Sequence, residues 1–181
     1  MLRRSMQLLT AAILTGGLTG CAATATSADG PRTVNGVQAM DEKGRMEEYR
    51  SLADTYRWPL PEGLSFPETL PTPEEPTMYE VGEGANQADT YWICAWMTEW
   101  LATRETNVGA AKVAWSWVER ADETQLHTDH YYDPRDVWHK EILDPAAQGR
   151  VKSFREFQAT SCSYPEFIER LPEGAQPRDS K

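Results

Sequence analysis

Apolar residues recur at helical spacing through most of the chain. From about Asp41 to Arg57 they lie three and four positions apart, with charged residues between them. The pattern is clearest from Asn86 to about Thr106, where Asn86 is a suitable N-cap and Asp89 occupies the third helical position. A broad apolar arc on this predicted helix is formed by Trp92, Ile93, Trp96, Met97, Trp100 and Leu101. Such a wide arc indicates a central helix that contacts more than one neighbour.

Capping residues predict the later helices. One helix begins near Asn107, and the pairs Asp133-Pro134 and Asp144-Pro145 each place a capping acid before a proline at the first helical position. The helix that begins at the second pair ends near Thr160, and Tyr164-Pro165 begins a last turn. Because no segment shows strict alternation of apolar and polar residues, the predicted fold class is all-α, with about four to five helices in a small domain.

A proline-rich segment separates the first two predicted helices. Six of the twelve prolines lie between residues 59 and 76, so this irregular stretch is predicted to be extended. Such segments are commonly linkers, but bulky apolar residues are interspersed here, and we expect them to hold the segment against the domain. These residues are Trp58, Leu60, Leu64, Phe66 and Leu70.

The first twenty residues differ from the rest of the chain. Arg3 and Arg4 precede an apolar stretch that is far shorter than the roughly 20 residues needed to span a bilayer, as in an export signal. The stretch ends in Leu18-Thr19-Gly20-Cys21, which resembles the lipobox of bacterial lipoprotein precursors. The resemblance implies that the Cys21 thiol receives a diacylglyceryl group and that cleavage occurs just before it. Export by the general or by the twin-arginine route stays open.

This resemblance and the composition divide the chain into four parts. Residues 1–20 are the predicted signal peptide, 21–45 the lipidated cysteine and a flexible tether, 46–171 the helical domain and 172–181 a disordered tail. The formal charge is −10 for the whole chain, and it becomes −12 when the two arginines of residues 1–20 are removed. A charge of this sign argues against nucleic-acid binding and against docking to anionic lipid, so the acyl chains would provide the membrane attachment.

The three cysteines fit this division. If Cys21 carries lipid, an even pair remains in an oxidising compartment, and we predict a disulfide between Cys94 and Cys162. It would close a loop of about 69 residues, which in the chain-entropy model stabilises the fold by roughly 4 kcal/mol. The alternative is two buried free thiols.

Two groups of residues are candidates for a functional site. His127, Asp129 and His130, with Asp133 and His139 nearby, carry metal-ligand side chains, but their spacing matches no metal motif. The sequence contains no nucleophile elbow, P-loop, dinucleotide fingerprint or C-x-x-C pair, and no cofactor is implied.

Tryptophans form the second candidate group, because aromatic faces stack on sugars and extended peptides. We expect Trp96 and Trp115 to lie in the core and consider Trp100 and Trp138 as ligand-binding aromatics. The proline-rich run, the Gly82-Glu83-Gly84 segment and residues Tyr91 to Trp96 are together loosely similar to uncharacterised exported proteins of Gram-positive bacteria. That resemblance implies no activity and no catalytic residues.

These observations favour a membrane-anchored extracytoplasmic lipoprotein that binds an envelope protein or glycan without catalysis. The alternative is a metal-dependent hydrolase or metal-binding protein that uses His127, Asp129 and His130.

Overall fold

The computed structural model describes residues 30–131 and 133–172, and this part of the chain is mostly helical. The α-helices are α1 (Glu42–Ala53), α2 (Glu83–Thr103), α3 (Val108–Val118), α4 (Asp144–Ala147), α5 (Lys152–Ser161) and α6 (Pro165–Arg170). A 3₁₀ turn spans Ala121–Glu123, and two π-helical segments span Leu126–His130 and Trp138–Leu143, here called π1 and π2. The predicted all-α class is confirmed.

Helix α2 is the centre of the domain, as the wide apolar arc predicts. It contacts α1, α3, α5, α6 and π1. All six residues of the predicted arc are buried, and Trp92 and Met97 are completely inaccessible. Within the described residues, no helix is long and apolar enough to cross a membrane.

A small antiparallel sheet precedes α1 in a region that we predicted to be tether. Strands β1 (Arg32–Val34) and β2 (Val37–Met40) form a hairpin, and β2 also pairs with β3 (Tyr79–Glu80). The prediction that residues up to 45 belong to a flexible tether is therefore wrong from Arg32 onward. The small sheet is possible because β3, distant in sequence, covers β2, and this pairing has no local sequence signal. The predicted signal peptide, Cys21 and the tail beyond Pro172 lie outside the described residues.

The start of α2 also differs from the prediction. The helix begins at Glu83 instead of near Asn86, so Asp89 lies inside the helix and not in its first turn. The carboxylate of Glu48, on α1, accepts hydrogen bonds from the backbone N–H groups of Gly82 at 2.9 Å and Gly84 at 3.3 Å. A cap supplied by another helix satisfies the free N–H groups, and it cannot be predicted from local sequence.

The proline-rich segment lies against the domain, as predicted. Buried side chains of the helices donate hydrogen bonds to its backbone carbonyls. The Nε1 atoms of Trp92 and Trp96 both donate to the Pro59 oxygen, at 2.9 and 3.0 Å. The Tyr49 and Tyr91 hydroxyls reach other carbonyls of the segment at 2.9 Å each. Proline carbonyls have no helix or sheet partner here, so these donors replace the missing secondary structure.

Three predictions concern the second half of the chain. The pairing of Cys94 with Cys162 is confirmed, with 2.02 Å between the sulfur atoms. The predicted continuous helix from residue 144 to 160 is wrong, since α4 and α5 are separate helices joined by a turn at residues 148–151. The predicted helix start at Asp133 is also displaced: Asp133 Oδ2 accepts a hydrogen bond from the N–H of Trp138 at 2.8 Å, where π2 begins.

Candidate functional site

Two neighbouring recesses lie along one side of α1. One cavity of about 400 Å³ lies between the end of α1, the Arg57–Trp58 segment and residues 123–128. A second, of about 470 Å³, lies between α1, the start of α2 and His130. The two share Leu52, Thr55 and Gln125 as a common wall. We call these two adjacent recesses together the α1 groove.

A buried carboxylate lies at the base of the α1 groove. Asp89 is 2% exposed, and its Oδ1 accepts a hydrogen bond from the Tyr56 hydroxyl at 2.7 Å. Its Oδ2 accepts one from the N–H of Leu126 at 2.8 Å, at the start of π1. Burial raises the pKa of Asp89, and these hydrogen bonds oppose the shift because they stabilise the ionised form. Burial also raises the pKa of Tyr56, with the neighbouring carboxylate as the next cause.

One wall of the α1 groove is an aromatic and guanidinium cluster. The guanidinium carbons of Arg57 and Arg120 lie 3.8 and 4.8 Å from the ring centre of Trp58. Arg120 also donates two hydrogen bonds, of 3.0 and 2.9 Å, to the carboxylate of Glu123. This charge-assisted pair lowers the pKa of Glu123. Arg57 donates to the Glu123 carbonyl, so the cluster connects the end of α1 to the 3₁₀ turn.

The opposite end of the α1 groove contains Glu48 and His130. Glu48 caps α2, so its negative charge is held in place by the backbone of the neighbouring helix. The ring of His130 lies over Gly82, which is the N-cap residue of α2. Exposed Ser51, Thr55 and Gln125 provide hydrogen-bonding groups between the two ends.

The histidine cluster is not gathered into a metal site. Within residues 30–131 and 133–172, no three His, Cys, Asp or Glu side chains are arranged to hold a metal ion. His127 packs against the rings of Tyr131 and Trp138, and burial lowers its pKa. Asp129 is exposed, and His130 lines the α1 groove.

The other two members of that cluster have separate structural partners. His139 Nε2 lies 2.5 Å from Asp122 Oδ2, a contact that raises the pKa of His139. Backbone N–H groups of Val137 and Trp138 lower the pKa of Asp133. Asp133 and His139 thus lie outside the π1 segment that contains His127, Asp129 and His130, and each is held by a partner of its own.

The tryptophans proposed as ligand-binding aromatics are core residues. Trp100 is 8% exposed and packs between Trp115 and Phe154, while Trp138 is 3% exposed and packs on Phe157. Both lie where helices or π2 cross, so their faces are covered by other rings. Trp96 is buried as predicted, whereas Trp115 is only partly buried against the core.

Several groove residues were missed at the sequence level. The sequence offers one signal for Asp89, a charged residue within an otherwise apolar helical stretch, although an N-cap at Asn86 explains it equally well as a first-turn acid. Tyr56, Trp58 and Glu48 gave no local signal, because each acquires its partner from a different element. Comparison with protein-family models, with curated proteins and with solved structures finds no match to this chain.

Proposed function

We propose that this protein is a lipid-anchored, extracytoplasmic binding protein of the cell envelope, and that it acts without catalysis. The lipobox at Leu18–Cys21 and the short apolar stretch before it support the anchor. The pairing of Cys94 with Cys162 supports an oxidising compartment, where such bonds persist. The ligand site that we assign to it is the α1 groove.

The acidic lining of the α1 groove is the observation that carries the choice of ligand. Three carboxylates, those of Glu48, Asp89 and Glu123, line it. Two guanidinium groups face them: Arg57 lines the groove, and Arg120 packs on Trp58 and pairs with Glu123, so the carboxylates remain in excess. The guanidinium of Arg57 is already engaged by Trp58 and by a backbone carbonyl. The strongly negative charge of the whole chain adds a long-range attraction for cations. We therefore assign to the groove a lysine- or arginine-containing segment of an envelope protein.

A polypeptide fits this groove better than a glycan. Sugar recognition commonly uses an uncovered aromatic face, and Trp58 is in contact with two guanidinium groups and with Trp92. The exposed hydroxyl and amide groups of Thr55, Gln125 and Thr128 can instead pair with the N–H and C=O groups of an extended chain.

Titration with two labelled peptides tests this assignment. We expect a dye-labelled lysine-rich peptide to bind the purified protein and a glutamate-rich peptide of equal length to show no binding, as measured by fluorescence anisotropy. Binding of the lysine-rich peptide should weaken as salt concentration rises. Glu123→Gln should weaken it by about 1.4-fold to fivefold, because one partly exposed carboxylate contributes about 0.2–1 kcal/mol.

Glu156→Gln is the matched control, since this exposed α5 carboxylate also faces a basic partner, Lys152 at 3.8 Å, but lies outside the groove. Equal weakening by Glu123→Gln and Glu156→Gln would show that the peptide responds to net charge alone and would refute the assignment of the α1 groove.

A further inference from the structure

The β1–β2 hairpin presents an apolar tip to solvent. Val34 and Val37 are paired across the strands, so their side chains lie on the same face, and they are 47% and 46% exposed. Between them, Asn35 and Gly36 have φ angles of 51° and 85°, the left-handed pair that a tight two-residue turn requires. The tip is therefore a defined and projecting structure with two valines at its end.

The charge of the hairpin differs from that of the rest of the molecule. Residues 30–40 contain Arg32 and no acidic residue, in a chain with 28 acidic and 18 basic residues. A surface of lipid phosphates would repel most of this acidic protein, but it would not repel the hairpin tip.

Among the described elements, the hairpin is the nearest in sequence to the predicted anchor. Ten residues separate Cys21 from Arg32, so even a fully extended connection spans at most about 40 Å. This is comparable with the diameter of a domain of this size, so the start of the hairpin stays within about one domain diameter of the lipid. The connection is less than half the length of the predicted tether, because that tether was expected to continue to residue 45.

We propose that the hairpin tip docks on the membrane that holds the anchor, with Val34 and Val37 entering the interfacial layer of lipid. This proposal rests on the lipidation of Cys21. Two valines would bind an untethered protein to a bilayer only weakly. The anchor converts docking into an intramolecular event with an effective concentration on the order of mM, at which weak contacts are sufficient.

Site-specific quenching by lipid tests the docking. The full chain is produced in cells that lipidate it, purified and reconstituted into phosphatidylcholine vesicles that contain spin-labelled phospholipid. Val37→Cys is labelled with an environment-sensitive dye. If Cys21 carries lipid, the introduced thiol is the one available for labelling, because Cys94 and Cys162 are paired.

The matched control is Val113→Cys on α3, where the native valine is 54% exposed. We expect the dye at position 37 to lose most of its emission and the dye at position 113 to keep its emission. Adding Val34→Asp to the Val37→Cys protein should restore emission, because a charge at the tip disfavours entry into lipid.

The mass of the N-terminal peptide separates the two proposals. An unquenched dye at position 37 on a protein whose Cys21 carries a diacylglyceryl group would refute docking and leave the anchor intact. An unmodified Cys21 would refute the anchor and docking together. If the dyes at position 37 quench one another but are not quenched by lipid, the hairpin contacts a second copy of the chain. That result would also refute membrane docking.

Discussion

Gly84→Ala tests a very close approach between α1 and α2. A Cβ atom at position 84 would lie 2.0 Å from the backbone oxygen of Arg45 and 2.8 Å from both the Glu48 Cβ and the Tyr49 backbone nitrogen. Ordinary contacts between such atoms are well above 3 Å, so α1 and α2 would have to separate by more than about 1 Å. The change would also displace Glu48, which caps α2 and lines the α1 groove.

The expected cost follows from two opposing effects. Overpacking typically costs about 1–3 kcal/mol, and this site belongs near the upper end because two of the three contacting atoms are backbone. Alanine has a higher helix propensity than glycine, which returns at most about 1 kcal/mol because residue 84 lies in the first turn of α2. We therefore expect Gly84→Ala to lower the free energy of unfolding by about 2 kcal/mol and to lower the Tm by about 8 °C.

Gly109→Ala provides the control, because it makes the same chemical change in a helix with open space. A Cβ there would meet only the Asn107 side chain at 3.5 Å, an ordinary contact. Urea denaturation followed by circular dichroism should show Gly109→Ala to be as stable as the native protein or slightly more stable. If Gly84→Ala is as stable to urea as Gly109→Ala, α1 and α2 do not pack as closely as the structure has them.

Three further predictions concern stability. Replacing both Cys94 and Cys162 by serine should cost roughly 4 kcal/mol, measured by urea denaturation, and an unchanged midpoint would contradict the bond. Burial raises the pKa values of Tyr49 and Tyr91 in the folded protein. As pH rises, these hydroxyls therefore lose their protons at a lower pH in the unfolded chain than in the folded protein. Stability should fall above about pH 10 by about 1.4 kcal/mol per pH unit for each tyrosine, and flat stability between pH 10 and 11.5 would refute their burial. Tyr56→Phe removes a hydrogen bond from a buried carboxylate and should cost about 1.5–3 kcal/mol in the same denaturation assay; a change below about 0.5 kcal/mol would refute that bond.

The fold was predictable where the sequence pattern is local. The arc on α2 and the N-cap at Asn107 follow from side-chain spacing and capping chemistry, and the structure has both. The hairpin was missed because its two strands are short and its stability depends on β3, some 40 residues later. The start of α2 was misplaced because its cap, Glu48, comes from α1.

The candidate site was less predictable than the fold. Its walls come from three stretches of chain that meet only after folding, and their residues are ordinary surface types when considered singly. The tryptophans, which are the most conspicuous residues of the sequence, suggested a ligand site that the described part of the structure does not have. Trp100 and Trp138 are covered by other rings, because large aromatic side chains fill the core of this small domain.

The mass of the N-terminal peptide, measured on protein isolated from membranes, tests the central claim most directly. The account predicts a chain that begins at Cys21 and carries a diacylglyceryl group on that sulfur. A chain that keeps residues 1–20, or one with an unmodified thiol at position 21, would contradict the anchor and the docking of the hairpin that rests on it.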